Sequence, residues 1–180
     1  MKRVFLLSAF LVGTIATISG TARATEVGTS RMFGLGVQVF EPTAIIGKLF
    51  LDRNDALDFG VGVYGWGYGT CYDSNGNYYC NNNPGHNVSL HFDYLYEEPI
   101  VNSTVRLDWH AGAGGRLILG NNYDNRNHDA ALLARVPLGL DLAFRRPQWL
   151  EVYLEIAPAL VIVPPLYFDF DVGLGVRAYF

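Results

Sequence analysis

The stretch from Tyr167 to Phe180 alternates almost without fault. Phe168, Phe170, Val172, Leu174, Val176, Ala178 and Phe180 share one parity; Asp169, Asp171, Gly173, Gly175, Arg177 and Tyr179 share the other. A period of two makes a β-strand with one apolar and one polar face. The segment is more than twice the usual strand of about 5–6 residues. Few architectures accommodate strands this long, and the rest of the chain repeats the pattern.

Eight such segments can be read in the 180 residues: 32–40, 44–51, 56–67, 87–96, 104–119, 130–144, 149–163 and 167–180. Turn-forming runs separate them, among them Glu41-Pro42-Thr43, Asp52-Arg53-Asn54-Asp55, Arg145-Arg146-Pro147-Gln148 and Pro164-Pro165. Two connections are long and polar, 68–86 and 120–129; the others are short. An even number of antiparallel strands can close on itself, which removes both exposed edges. The repeated Gly-Leu-Gly-Val of the first and last strands, 34–37 and 173–176, marks them as the closing pair.

Alternation alone leaves open which face points inward. A soluble, lipocalin-like barrel would turn its apolar face in and wet its polar face. Here the polar parity carries Gly34, Gly36, Gly60, Gly62, Gly112, Gly114, Gly139, Gly173 and Gly175, with Tyr64, Trp66 and Tyr153. Such a face suits a crowded interior better than a solvated surface, so the apolar face is expected to meet lipid. Strands of about 9–11 residues span a bilayer when tilted.

The first 24 residues read as a leader. Lys2 and Arg3 precede the apolar run Val4–Val12, and Ala22-Arg23-Ala24 offers a cleavage site. The expected organisation is a cleaved signal peptide, 1–24, and one barrel domain, 25–180. The leader holds three of the 13 basic residues and none of the 17 acidic ones, so the mature chain is formally −7. An acidic chain is a poor partner for nucleic acid. Lys48 is its only lysine, unlike the Lys- and Glu-rich surface of a soluble exported domain. If the amino terminus starts in the periplasm, both termini lie there; the connections between strands two and three, four and five, and six and seven point inward and are all short, and the two long ones point outward. Phe33, Tyr94, Tyr96, Phe144, Trp149 and Phe180 then gather at the periplasmic strand ends, and Phe168 and Phe170 at the opposite rim, as interfacial girdles do.

The polar parity directs Lys48, Arg106, Arg116, Arg135 and Arg177 into the bore, together with Asp58, Asp93, Asp108, Asp141, Glu151, Glu155, Asp169 and Asp171 and with His91 and His110. Eight strands leave a bore just wide enough for side chains. A lone buried charge is very costly, so these groups are expected to pair into a salt-bridged plug. An ion path, or a proton relay through the histidines, is the other reading.

Cys71 and Cys80 lie in the long loop 68–86. An exported chain makes a disulfide the default, worth roughly 2–3 kcal/mol for so short a loop on the chain-entropy model. A metal or redox pair is the competing reading, but the spacing is not C-x-x-C and no Cys/His set with ligand spacing accompanies it. Gly60-Val61-Gly62-Val63-Tyr64-Gly65 matches dinucleotide-binding spacing but lacks the following helix. Ser89, His91 and Asp93 form a column on one strand face without an evident oxyanion donor. His86, Asp124, His128 and Asp129 read as solvated loop residues. Neither an enzymatic role nor a cofactor is expected.

With these residues in view, the chain resembles the small eight-stranded outer-membrane barrels, OmpX and the membrane domain of OmpA. It is more closely similar to a group of bacterial outer-membrane barrels sharing an ordered set of short motifs. Here they are Gly34-Leu35-Gly36, Glu41-Pro42-Thr43, Asp52-Arg53-Asn54 and Ala56-Leu57-Asp58-Phe59-Gly60. They continue with His91-Phe92-Asp93-Tyr94-Leu95, Arg135-Val136-Pro137-Leu138-Gly139, Leu154-Glu155-Ile156-Ala157-Pro158 and Gly173-Leu174-Gly175-Val176-Arg177. The cysteine loop is not a feature expected of that group. The resemblance implies an all-β, eight-stranded antiparallel transmembrane barrel in the outer membrane, among lipid and lipopolysaccharide, and it implies no catalytic residues. Gly175, Ala178 and Phe180 resemble the signal read by the outer-membrane assembly machinery, which with periplasmic chaperones would be a transient partner. The favoured role is a non-enzymatic barrel that supports the membrane or binds an extracellular ligand or adhesion partner through loops 68–86 and 120–129. A small channel is the alternative, and a lipid-modifying enzyme acting through Ser89 a distant one.

Overall fold

The computed structural model describes residues 26–64, 70–74, 77–81, 87–103, 105–120, 130–163 and 166–180, with side chains left out at 64, 70–74, 77–81 and 167. The expected leader, 1–24, lies outside them. The strands are β1 (Phe33–Glu41), β2 (Thr43–Phe50), β3 (Asp55–Tyr64), β4 (Thr70–Ser74), β5 (Asn77–Asn81), β6 (Asn87–Asn102), β7 (Val105–Leu119), β8 (Ala130–Arg135), β9 (Leu138–Phe144), β10 (Leu150–Val163) and β11 (Tyr167–Tyr179).

Nine of these strands form one antiparallel sheet that closes on itself. Neighbours run β11-β1-β2-β3-β6-β7, then β8 and β9, both of which pair β7 on one side and β10 on the other, and β10 returns to β11. β8 and β9 therefore share one of eight positions in the ring. The closing pair aligns Val37 with Val176 and Gly34 with Tyr179. Every connection is antiparallel and the ring is even, so both ends of the described chain lie at the same end of the barrel.

The structure departs from the sequence reading in three places. The sixth segment is interrupted at Val136-Pro137, because proline has no N–H to give the ladder. Pairing bridges the gap: the Gly112 amide donates to the Pro137 carbonyl and the Val136 amide to the Pro158 carbonyl, at 2.9 and 3.0 Å. The fourth strand runs on to Asn102 through Glu97-Glu98-Pro99, read as a connection, with a bulge between Pro99 and Val101. The loop 68–86 holds the hairpin β4–β5, a separate two-stranded sheet in which Cys71 stands directly opposite Cys80.

The two faces are sorted against the rule for soluble proteins. Leu35, Val37, Ile45, Val61, Phe92, Leu140, Leu154, Ile156, Leu174 and Val176 are exposed on the outside of the ring. Fully buried side chains include Lys48, Arg116, Arg177, Glu97 and Glu151. Apolar clusters lie toward each end of the bore. At the terminus-bearing end Val27, Phe50, Ala56, Leu95, Ala143 and Tyr179 pack together. At the other, Ile118, Ala131, Leu133, Ala159 and Val161 do so. Val27 belongs to residues 26–32, which fold back across the barrel end. The turn is held by the Gly28 amide on the Arg31 carbonyl, with Gly28 at φ +67° over the Phe50 ring.

Candidate functional site: the charged interior

The interior residues reach the bore through strand parity. Asn87, Ser89, His91, Asp93, Leu95 and Glu97 are successive same-face positions on β6, and all are buried. Lys48 from β2 and Asp58 from β3 are Cα partners, as are Glu151 from β10 and Arg177 from β11. Closing the ring then brings groups from opposite walls together.

Near the terminus-bearing end, the Lys48 ammonium pairs with Glu97 and lies 3.4 Å from Asp141 and 3.8 Å from Glu151. Arg177 pairs with Asp58, lies 3.0 Å from Glu151 and 3.5 Å from Asp141, and stacks its guanidinium 3.8 Å from the Tyr153 ring centre. The Tyr179 hydroxyl donates to Glu151 at 3.0 Å. Midway, His110 Nδ1 pairs with Asp141 while its Nε2 lies 3.3 Å from Glu155, and His91 Nε2 lies 3.3 Å from Asp58. Arg135 pairs with Glu155 and approaches Asp93 and Asp171 at 3.4 and 3.7 Å. Arg116 pairs with Asp171 and, at 2.6 Å, with Asp169. The contacts form one chain along the bore, from Glu97 through Lys48, Asp141, His110, Glu155, Arg135, Asp171 and Arg116 to Asp169. Arg106, 2.7 Å from Asp108, lies at the terminus-bearing end and also donates to the Val27 carbonyl at 3.2 Å, so it ties the folded-back segment to the wall.

Space for these long groups comes from glycine. A Cβ on Gly175 would meet the Tyr153 ring; on Gly60 it would meet His91, and on Gly139 it would meet His110. Gly175, which the resemblance assigns to an assembly signal, thus also has a packing reason to be glycine. The Tyr153 hydroxyl donates to Gln38, whose Nε2 donates to the Pro42 carbonyl at 3.0 Å.

Every residue assigned to the bore from sequence is buried there except Arg106 and Asp169, which are half-buried at opposite ends. Sequence reasoning missed Glu97, Gln38 and Tyr179 as members. Glu97 was legible as the next same-parity residue after Asp93 and Leu95. Two triads, Asp58–His91–Asp93 and Glu97–His110–Asp141, bring possible metal ligands within 4.8 Å of one another. Their charge is already met by side-chain cations: Arg177 and Arg135 serve the first and Lys48 the second. Ser89, His91 and Asp93 are buried in the interior. His91 turns to Asp58, and the Ser89 hydroxyl has no hydrogen-bond partner among the described residues, so no nucleophile–base pair forms. His86, Asp124, His128 and Asp129 lie outside the described residues.

A closed antiparallel ring with an apolar exterior and a polar interior is an arrangement that small outer-membrane β-barrels also have. No family model matches the sequence, and no curated protein matches it. Among solved structures the chain is similar to the N-terminal β-barrel domain of OprF from Pseudomonas aeruginosa, with a TM-score of 0.53 and 16% identity over 82% of this chain and 95% of that one. The fold is thus that of an OmpA-like barrel.

Proposed function

We propose that the protein is a bacterial outer-membrane barrel of eight ring positions, with its termini in the periplasm, and that it acts without catalysis. It supports the membrane and displays the connections at the far end, 68–86 and 120–129, to the outside, where an extracellular ligand or adhesion partner would meet them. The observation that carries this reading is the inversion of the faces: Lys48, Arg116 and Arg177 are fully buried while leucine, valine and phenylalanine cover the outside. In water such an exterior would aggregate; in a bilayer it is the solvated face. The likeness to the OprF barrel supports the same placement.

A channel is the less favoured reading. Its bore would need an open path, whereas ion pairs cross it at several levels and apolar clusters sit at both ends. The register of Cys71 opposite Cys80 supports a cross-strand disulfide in the displayed hairpin, since directly opposed Cα atoms stand about 4.5–5.5 Å apart, within disulfide reach. Gly175, Ala178 and Phe180 at the end of β11 suit recognition by the outer-membrane assembly machinery and periplasmic chaperones during insertion.

The test is membrane fractionation followed by electrophoresis of boiled and unboiled samples. The expected outcome is sedimentation with the outer membrane and faster migration unboiled. Recovery from the soluble periplasm with no mobility shift would overturn the proposal.

A further inference from the structure

Outside the interior, one cluster of cations stands apart. At the terminus-bearing rim a groove of about 280 Å³ is lined by Glu26, Arg31, Arg145, Arg146, Gln148 and Trp149, among others. In a chain of formal charge −4, three arginines here face one carboxylate. Arg31 is engaged, 2.6 Å from Glu26 and donating to the Tyr179 carbonyl at 3.1 Å. Arg145 donates to Asn102 at 2.8 Å through one terminal nitrogen, but its Nε is buried with no partner. Arg146 is exposed and makes no ion pair among the described residues. One cation is thus matched and two have donors to spare.

The surroundings say what kind of anion fits. Trp149 and Phe180 are exposed at this rim, and the Tyr179 amide donates to the Trp149 carbonyl at 2.8 Å, which places the Trp149 backbone beside the end of the last strand. The outward apolar faces of β10 and β11 begin immediately above. An amphipathic ring at the edge of an apolar band sits at headgroup height. A ligand there needs a charged head for the arginines and an apolar tail for the barrel wall. Arginine's fork of donors suits phosphate oxygens.

We infer that this groove binds the phosphate of an anionic phospholipid in the inner leaflet, its acyl chains lying along the barrel beside Trp149. The inference rests on the membrane placement proposed above. The Arg145–Trp149 turn thereby fixes the height of the barrel as well as joining two strands.

The test uses the full chain folded in zwitterionic detergent, with Trp66 and Trp109 replaced by Phe so that Trp149 alone fluoresces. Dihexanoyl phosphatidylglycerol should change the emission saturably, and dihexanoyl phosphatidylcholine should not. Arg146→Gln, an exposed residue, should weaken binding about fivefold, and Arg145→Gln/Arg146→Gln about 25-fold, from the usual contribution of a basic residue near an anionic surface. Equal response to both lipids, or no loss in the variants, would overturn the inference. So would saturation by inorganic phosphate alone at the same concentrations, or preference for a soluble anionic peptidoglycan fragment. Each variant must keep the faster unboiled migration. If the parent itself lacks it, the barrel placement has failed rather than the groove.

Discussion

Replacing Arg177 by methionine tests the interior where it is most connected. Arg177 touches Asp58, Glu151 and Asp141 and covers the Tyr153 ring, so the substitution removes one cation from three buried carboxylates. Removing one partner of a buried pair costs about 3–5 kcal/mol, because the other charge stays buried without compensation. Partial compensation exists: His91 still faces Asp58 at 3.3 Å, and Lys48 and the Tyr179 hydroxyl still face Glu151. The lower half of that range, about 3–4 kcal/mol, is therefore expected, a factor of roughly 10²–10³ in the folding equilibrium. The assay is reversible denaturant unfolding in lipid vesicles, followed by tryptophan fluorescence and by the unboiled gel shift. Asp58→Asn in the same background should remove part of the unpaired charge, so the double variant should be more stable than the sum of the singles by about 0.5–3 kcal/mol. A loss below about 1 kcal/mol for Arg177→Met, with no coupling to Asp58, would show that water screens these charges as at an exposed surface. The closed, ion-paired interior would then be refuted.

Three further outcomes are expected. Ile156→Arg, midway along β10 on the outer face, should cost about 2–4 kcal/mol in lipid, the penalty for a charge at the bilayer midplane, as read from the same unfolding curves. Gly175→Ala should cost about 1–3 kcal/mol, because its Cβ would meet the Tyr153 ring, and Tyr153→Phe in the Gly175→Ala background should not restore stability because the ring remains. Cys71 and Cys80 should resist alkylation until reduced, and reduction should loosen the hairpin to protease while leaving the barrel's unboiled migration unchanged.

How much of this was legible follows from how each residue announces itself. β10 and β11 alternate so strictly that their faces and register class can be read directly, and the last strand's Asp169, Asp171 and Arg177 face the interior. β6 was legible only to Tyr96, because Glu97-Glu98-Pro99 has the composition of a turn. Glu97 continues the strand opposite His110, and its side chain pairs with Lys48 of β2, two strands away in the sheet, a partner that no local pattern contains. The break at Pro137 was visible as a proline, but only the paired carbonyls show that the strand's path continues. The hairpin β4–β5 is not legible in the sequence, because Cys71-Tyr72-Asp73 and Tyr78-Tyr79-Cys80 are too short to show a period. The folded-back segment 26–32 was likewise illegible, since its turn is fixed by Phe50 and Arg106, both distant in sequence. Individual ion pairs depend on register across several strands, so parity gave the membership of the interior and the ring gave the partners.

The central claim is that the apolar parity faces lipid and the charged parity faces a closed bore. It is tested most directly by adjacent single tryptophans on β10, introduced at Leu154 and at Tyr153 with Trp66, Trp109 and Trp149 changed to Phe, in vesicles of lipid brominated on the acyl chains. Leu154 is exposed and Tyr153 buried, so Leu154→Trp should be strongly quenched by the bromines and Tyr153→Trp should not. Quenching at Tyr153 with none at Leu154 would put the charged face against lipid, and equal quenching at neither would mean that the barrel does not enter the bilayer; either result contradicts the account.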